Sequence, residues 1–550
     1  MRFPAVLILL LAALRRGCAA WPLAAVLLAT AMAPARAADA PAATEIQQRL
    51  AAADPILVGG FHLDRARLRA AYERRDFAPL WAARPELAGV LLTALGAAGH
   101  EGIDPEEFGL STLQAALGGE NLTPLERELL LSDRFLAYAQ ALAQGQVAPG
   151  AVDLDWLLAR PGFDAGAVLQ RVADTGDIAG VLGDLLPKAP DYDRLRQALP
   201  RYQAMADAGG WATLVTDQKI EPGQKGKLVQ ALRTRLAAEG DLAVELREGD
   251  SFDPPLVAAV RRFQLRHGVA VDGRVGVATL AALNVSAADR VTQIKLTLER
   301  WRSMPRNLPP TRVVVNVPAQ SLTLYRADAP ELTSRVIVGA IDHPTPVLAA
   351  RISAVLFNPP WNVPVSITRK EIQPKLLRDP GYLARNHYIL IGPEAGDPYG
   401  RDLDWKRTDI VRRGWRVQQL PGPWNALGGI KFELPNPLDV YLHDTPTRPL
   451  FARPVRVASH GCVRVEQAEA LASDLLGADW PAETIDETVE AGATKRVFLK
   501  TTVPVYLLYL TSFVDEDGTV EFRDDFYGRD QRLQTALDAR RRLAGMPTPG

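Results

Sequence analysis

The spacing of apolar residues changes along this chain, and each change marks a different kind of structure. Over residues 38–215 apolar positions recur at three- and four-residue intervals, as in helices that bury one face. Ile46–Leu50, Leu87–Gly99, Leu125–Leu142 and Ala165–Leu182 carry this pattern. In the third, Leu129, Leu130, Phe135, Leu136, Tyr138 and Leu142 form a broad stripe. His62 and His100 stand alone there, so the segment reads as a structural or protein-contact domain. A shorter helical unit follows over 225–285. Its first helix contains Lys227–Arg233. Its second, Asp253–His267, begins where an aspartate cap precedes a proline, and sets Leu256, Val260, Phe263 and His267 on one face. Gly268 stops that helix, Asp272-Gly273 turns the chain, and a third helix introduced by Gly276 and Thr279 ends at Asn284.

From Thr311 the period becomes two. Arg312–Val317, Ser321–Tyr325, Ser334–Gly339, Ile352–Phe357 and Asp439–His443 read as strands of a mostly β domain over 310–503, expected to be a sandwich. Between Ser366 and Leu420 the alternation fails, and charged, glycine-rich and proline-rich sequence replaces it. An insertion of that length (about 366–420) is expected to form a lid over a functional site. The tail, 504–550, adds a strand at Val505–Leu510 and a charged helix over 531–544. The expected fold class is therefore multidomain α+β.

At 550 residues the chain is too long for a single core. Its 63 basic and 64 acidic residues nearly cancel, which leaves no field suited to nucleic acid. Residues 1–37 read as a signal peptide. Apolar stretches Ala5–Leu14 and Trp21–Met32 flank Arg15-Arg16, and Ala35-Arg36-Ala37 supplies a cleavage pattern. The second stretch is complete by itself, so translation could begin after Met1. An uncleaved membrane anchor is the alternative. Export across the membrane is the expectation.

Export sharpens the meaning of the cysteines. Cys18 lies in the leader, without a lipobox before it, so Cys462 would be the single thiol of the mature protein. A lone thiol in an exported protein suggests a bridge between chains or a reactive group. A free thiol needs an activating base, and His443 on a strand is the candidate. Alternation puts Tyr441 and His443 on one exposed face and Val440 and Leu442 in the core. Fifteen residues (444–458) then suffice to return Ser459–Cys462 to the same edge. A helix expected over Glu466–Leu475 would place its amino terminus just past the thiol and favour thiolate. Gly461 permits close approach of a carbonyl. The amides of Gly461 and Cys462, with the Tyr441 hydroxyl, could form an oxyanion hole. The fork of Arg464 suits a substrate carboxylate. His460 is expected to turn away and make a structural hydrogen bond. Cys462, His443 and His460 do not make a closed zinc set, and neither metal nor cofactor is expected.

Two resemblances extend this reading. Ala259-Val260-x-x-Phe263-Gln264, Gly268, Asp272-Gly273, Gly276 and Thr279 resemble the three-helix peptidoglycan-binding module of bacterial wall enzymes. His443, the fifteen-residue gap and Ser459-His460-Gly461-Cys462-x-Arg464 resemble the L,D-transpeptidase (YkuD-type) catalytic domain. Asn358–Pro364, Gly422-Pro423-x-Asn425-Ala426-Leu427-Gly428 and Leu434-Pro435-Asn436 agree with that domain. The whole is similar to the large periplasmic forms in which a helical scaffold domain precedes the catalytic one.

The resemblance implies that Cys462 attacks the diaminopimelate carbonyl of a tetrapeptide stem, expels D-alanine, and passes the acyl group to a second stem as a 3→3 cross-link. It implies that the backbone carbonyl of Asp444 orients His443. Ser459, Asn425, Trp424 and Trp361 are added as candidate substrate contacts, the tryptophans reading first as packing residues at the cleft border. Expected partners are peptidoglycan stems, carbapenem-type β-lactams as inhibitors, and other wall-synthesis enzymes. Alternatives are an L,D-carboxypeptidase or endopeptidase, a protein-to-wall ligase of the same fold, and a non-catalytic wall-binding protein.

Overall fold

The computed structural model describes residues 40–119, 122–393 and 396–543. The leader, its cleavage pattern and Cys18 lie outside them. The first helical region packs around helix Pro124–Gln144, whose start is fixed by a reciprocal cap between Thr123 and Glu126. The stripe read from the sequence is buried, with Leu129, Leu130, Phe135 and Leu136 in one core with Leu68, Tyr72, Leu91 and Phe108. A carboxylate also lies in this interior. Glu128 accepts the amides of Leu80, Trp81 and Ala82 at 2.6–2.9 Å and the Tyr72 hydroxyl at 2.7 Å. With every acceptor position used, Glu128 ties the chain together and has no capacity left for chemistry.

Helix Pro190–Asp207 belongs instead to the core of the β region. Its Tyr192, Leu195, Leu199 and Tyr202 pack with Ile294, Leu298 and Trp301 of helix Ala287–Arg302. That second helix was not anticipated, although Ser286 and Asp289 form the capping box that announces it.

The small unit follows its sequence signals closely. Asp253 caps helix Pro254–Arg266 through the Leu256 amide, and Gly268 takes φ +64° just past the end. Buried Gln264 holds the following turn, donating to Asp272 and to the Arg274 carbonyl at 2.8 Å and accepting the Gly273 amide at 2.8 Å. The unit is fixed to the rest of the molecule. His267 stacks against Phe522 of the tail (5.6 Å, 12°), and Arg523 donates to the Arg266 carbonyl at 2.9 Å.

The β region is one nine-stranded sheet: β1 (Arg312–Asn316), β2 (Ser321–Arg326), β3 (Ala329–Gly339), β4 (Leu348–Phe357), β5 (Ile430–Glu433), β6 (Leu442–His443), β7 (Val457–Ser459), β8 (Val463–Val465) and β9 (Lys495–Leu508). Its order is β7-β3-β8-β6-β5-β4-β9-β1-β2, and β2 also pairs with β3. The two layers anticipated as a sandwich are thus one sheet whose ends meet, because the eleven-residue β3 reaches both. The expected tail strand is the second half of β9.

The insertion departs from its irregular sequence. Strands Trp361–Asn362, Tyr388–Ile391 and Arg416–Gln419 form a small sheet, with short helices at Val365–Ile367, Gln373–Arg378 and Tyr382–Arg385. Ile367, Leu376, Leu390, Trp405, Trp415 and Val417 give it a core of its own. Its strands are too short and its apolar residues too widely spaced for periodicity to show them.

Candidate active site

The site is built by strand register. β6 runs parallel to β8, with Leu442 opposite Val463 and His443 opposite Arg464, and the Val463 amide donates to the Tyr441 carbonyl at 3.1 Å. Leu442, Val463 and Val465 are fully buried in the sheet core. Alternation therefore sends Tyr441, His443, Cys462 and Arg464 out on the other side together. All four line a cavity of about 220 Å³, with Trp361, Glu371, Leu427 and His460. A second cavity of about 630 Å³ extends past His343, Lys431 and Asp439 and shares Trp361, Tyr441, His460 and Cys462 with the first.

His443 is not on an open face, as its strand position suggested; it is only 4 % exposed, because the insertion and the Leu427 loop cover it. Its Nδ1 lies 2.5 Å from the Asp444 carbonyl. A carbonyl only accepts, so Nδ1 carries the proton and Nε2 is the free base. Burial, then the Arg464 guanidinium, push the ring pKa down to about 3, while the Asp444 and Leu427 carbonyls pull the other way. The ring is neutral at ordinary pH.

The half-buried Cys462 thiol is also neutral, its pKa raised by burial against the lowering influence of Tyr441, Lys431 and Arg464. It donates to the Asp439 carbonyl at 3.9 Å, and among the described residues no hydrogen bond joins the sulfur to the imidazole. The expected helix dipole is absent. Helix Ala468–Leu476 starts six residues on, with β8 between it and the sulfur. Lys431 takes its place as the nearby positive charge. It lies opposite His443 on β5, with Nζ 4.0 Å from the Tyr441 ring centre. A lysine alternating with Ile430 and Phe432 was the available signal for it. Burial holds its pKa below the usual lysine value. The Tyr441 ring meets His443 edge-on at 5.6 Å, and burial pushes its hydroxyl pKa up, so it stays a donor.

Gly461 adopts φ +100°, which favours glycine. Among the described residues the amides of Gly461 and Cys462 donate to no acceptor. Among the described residues Arg464 has no carboxylate partner, and its Nε is buried without an acceptor. Burial lowers its pKa.

The remaining candidates separate. Trp361 lines both cavities. Ser459 touches the smaller one, but its hydroxyl is committed to the Cys462 carbonyl at 2.5 Å. Asn425 is fully buried, donating to the Pro359, Gln419 and Leu420 carbonyls and accepting the Leu427 amide at 2.8 Å. It holds a loop and lines neither cavity. Trp424 lines neither cavity and stacks on His387 at 3.6 Å. His460 does not turn away. It stacks on His343 at 4.7 Å, pairs with Glu371 of the insertion at 2.9 Å and borders both cavities.

Family profiles match three segments of the chain. The "L,D-transpeptidase catalytic domain" matches residues 310–505, the "Putative peptidoglycan binding domain" matches 225–283, and the "Scaffold domain" matches 66–199. A Haemophilus influenzae protein named "Putative L,D-transpeptidase" is 37 % identical over 225 residues, 41 % of this chain and 45 % of the relative. The chain thus spans less than half the length of that relative. Similar solved structures include an L,D-transpeptidase of Xylanimonas cellulosilytica (16 % identity; 54 % of this chain and 99 % of that one; TM-score 0.19). Another is the Enterococcus faecium L,D-transpeptidase (11 %; 57 % and 100 %; TM-score 0.18). Superpositions that loose add nothing to the assignment. It rests on the profiles: the chain carries an L,D-transpeptidase catalytic domain of the YkuD type, together with a peptidoglycan-binding domain and a scaffold domain.

Proposed function

We propose that this chain is a cell-wall L,D-transpeptidase of the periplasm that forms 3→3 cross-links between peptidoglycan stems through a thioester on Cys462. The observation that carries the reading is the register of β6 against β8, which directs sulfur, imidazole, phenol and guanidinium into one cavity.

Both reacting groups rest uncharged, so the proton moves when substrate arrives. A turn about the Cys462 Cα–Cβ bond takes the thiol from Asp439 to Nε2 of His443, which accepts the proton as sulfur attacks the diaminopimelate carbonyl. The unengaged amides of Gly461 and Cys462, with the Tyr441 hydroxyl, receive the developing oxyanion, and Lys431 adds positive charge. Collapse breaks the bond to D-alanine, whose nitrogen takes the proton back from His443. The side-chain amine of a second stem then attacks the thioester, losing its proton to His443, and sulfur leaves as the thiol. Arg464 receives a substrate carboxylate. The insertion forms the lid, and the peptidoglycan-binding domain holds the enzyme near its substrate.

The test is to give the purified chain disaccharide-tetrapeptide and weigh the products. Cross-linked dimer with loss of one alanine supports the proposal. Tripeptide alone means a carboxypeptidase, and unchanged substrate means a non-catalytic wall protein. A carbapenem should add once to the wild-type chain and not to Cys462→Ala.

A further inference from the structure

The turn that carries Cys462 is supported from behind by Thr345, which is held in turn by parts of the chain outside the matched catalytic segment. The Thr345 hydroxyl donates to the Gly461 carbonyl at 2.9 Å and accepts the Gly339 amide at 2.9 Å. Thr345 is completely buried, and its own backbone is held on both sides. Its amide donates to the Tyr527 hydroxyl at 3.1 Å, that hydroxyl donates to the Gly339 carbonyl at 2.5 Å, and Arg529 donates to the Thr345 carbonyl at 3.1 Å. Arg529 pairs with Asp153 of the helical region at 2.8 Å. The same region grips Val347 through its backbone, at 2.8 Å from Asp155 and 2.7 Å from Leu157. The packing leaves no slack, since a side chain on Gly339 would collide with the His343 carbonyl and the Thr345 amide.

Peptide planarity turns this support into a constraint on chemistry. In a trans peptide the C=O and the following N–H point in opposite directions. Holding the Gly461 carbonyl back toward Thr345 therefore aims the Cys462 amide the other way, toward the cavity. Gly461, at φ +100°, has no side chain to restrain that plane. The Thr345 hydroxyl supplies the restraint.

We propose that Thr345 and Tyr527 are positioning residues that orient the Gly461–Cys462 peptide. Through them the helical region and the carboxyl-terminal segment set the oxyanion site. The inference rests on Cys462 being the nucleophile, and its test separates the two. In the full chain, carbapenem acylation of Cys462 needs an oriented oxyanion site, whereas alkylation by iodoacetamide needs only an accessible thiolate. Thr345→Val keeps the shape and removes the hydroxyl. It is expected to slow acylation about 10- to 100-fold while alkylation stays within about threefold, and Thr345→Ser restores acylation. Tyr527→Phe shifts the same ratio in the same direction by less, and carries the test if Thr345→Val does not fold. Wild-type acylation in both Thr345→Val and Tyr527→Phe, a proportional loss of both reactions, or no rescue by serine overturns the inference. Acylation of Cys462→Ala overturns the reading beneath it and leaves these ratios without their nucleophile.

Discussion

His267 and His443 are alike by every crude measure: each is 4 % exposed, and burial followed by nearby arginines pushes each pKa below the ordinary histidine value. Their surroundings separate them. His267 lies against Phe263 at 3.9 Å and Phe522 at 5.6 Å, with both ring nitrogens unpartnered among the described residues and Arg266, Arg290, Arg523 and Arg235 around it. It serves as an aromatic plate between the peptidoglycan-binding domain and the tail. His443 has one nitrogen fixed by a carbonyl and its ring on a cavity wall beside a thiol. Burial and a shifted pKa alone do not mark a base; an assigned tautomer and a place on the wall of a cavity that a thiol also lines make His443 the candidate.

That contrast breaks most sharply under substitution. His443→Gln is expected to cut turnover about 10³-fold, while His267→Gln changes it less than about twofold; equal losses in kcat/KM per folded molecule would dissolve the distinction. With a ring pKa near 3, His443 stays a free base through mild acid. The acid limb of kcat/KM should therefore lie well below the ordinary histidine pKa of about 6.5.

Arg464→Gln comes next. Losing the proposed charge-assisted bond from Arg464 to a substrate carboxylate should lower kcat/KM for tetrapeptide about 10- to 100-fold, with a smaller loss for a substrate whose matching carboxylate is amidated. An equal loss on both substrates would make Arg464 a structural residue.

The pH dependence of stability measures the shared property. A histidine whose folded pKa is depressed contributes stability that is complete above the unfolded value of about 6.5 and withdrawn below it. The loss runs at roughly 1.4 kcal/mol per pH unit until the folded pKa is reached. For His443 that window runs from about 6.5 down to about 3. His267 loses stability in the same direction. His267→Phe, which fills the aromatic sandwich without a titrating nitrogen, should flatten the fall in Tm between neutral and mildly acid pH and leave turnover unchanged. A Tm profile as steep as wild type would remove His267 from the account. The smallest effect is expected at Glu371. Its pair with His460 is more than a third exposed on both sides, so Glu371→Gln should cost under about 1 kcal/mol and matter less at high salt.

Legibility followed local chemistry. The Asp253 cap, the Gly268 stop and the β1 to β4 alternation could be read because each depends on a few adjacent residues. The insertion could not, because its core is assembled from Ile367, Leu390, Trp405 and Val417, far apart in sequence. Asn425 was mistaken for a substrate contact because a loop asparagine that binds three carbonyls looks, as a letter, like one that faces a cleft. Lys431 was missed because a strand lysine ordinarily marks solvent.

By itself the sequence determined which groups are candidates for chemistry: the Cys462 thiol, a histidine on an alternating strand, and a glycine that lets the chain turn between serine and cysteine. It also determined the helical and β parts, since periodicity is local. Only the tertiary structure decided that Lys431 rather than a helix dipole sits near the sulfur, that His443 is enclosed and neutral, and that Thr345 and Tyr527 stand behind Gly461. Those facts depend on pairings across tens to hundreds of residues, where burial and register, which no local pattern encodes, fix charge and direction.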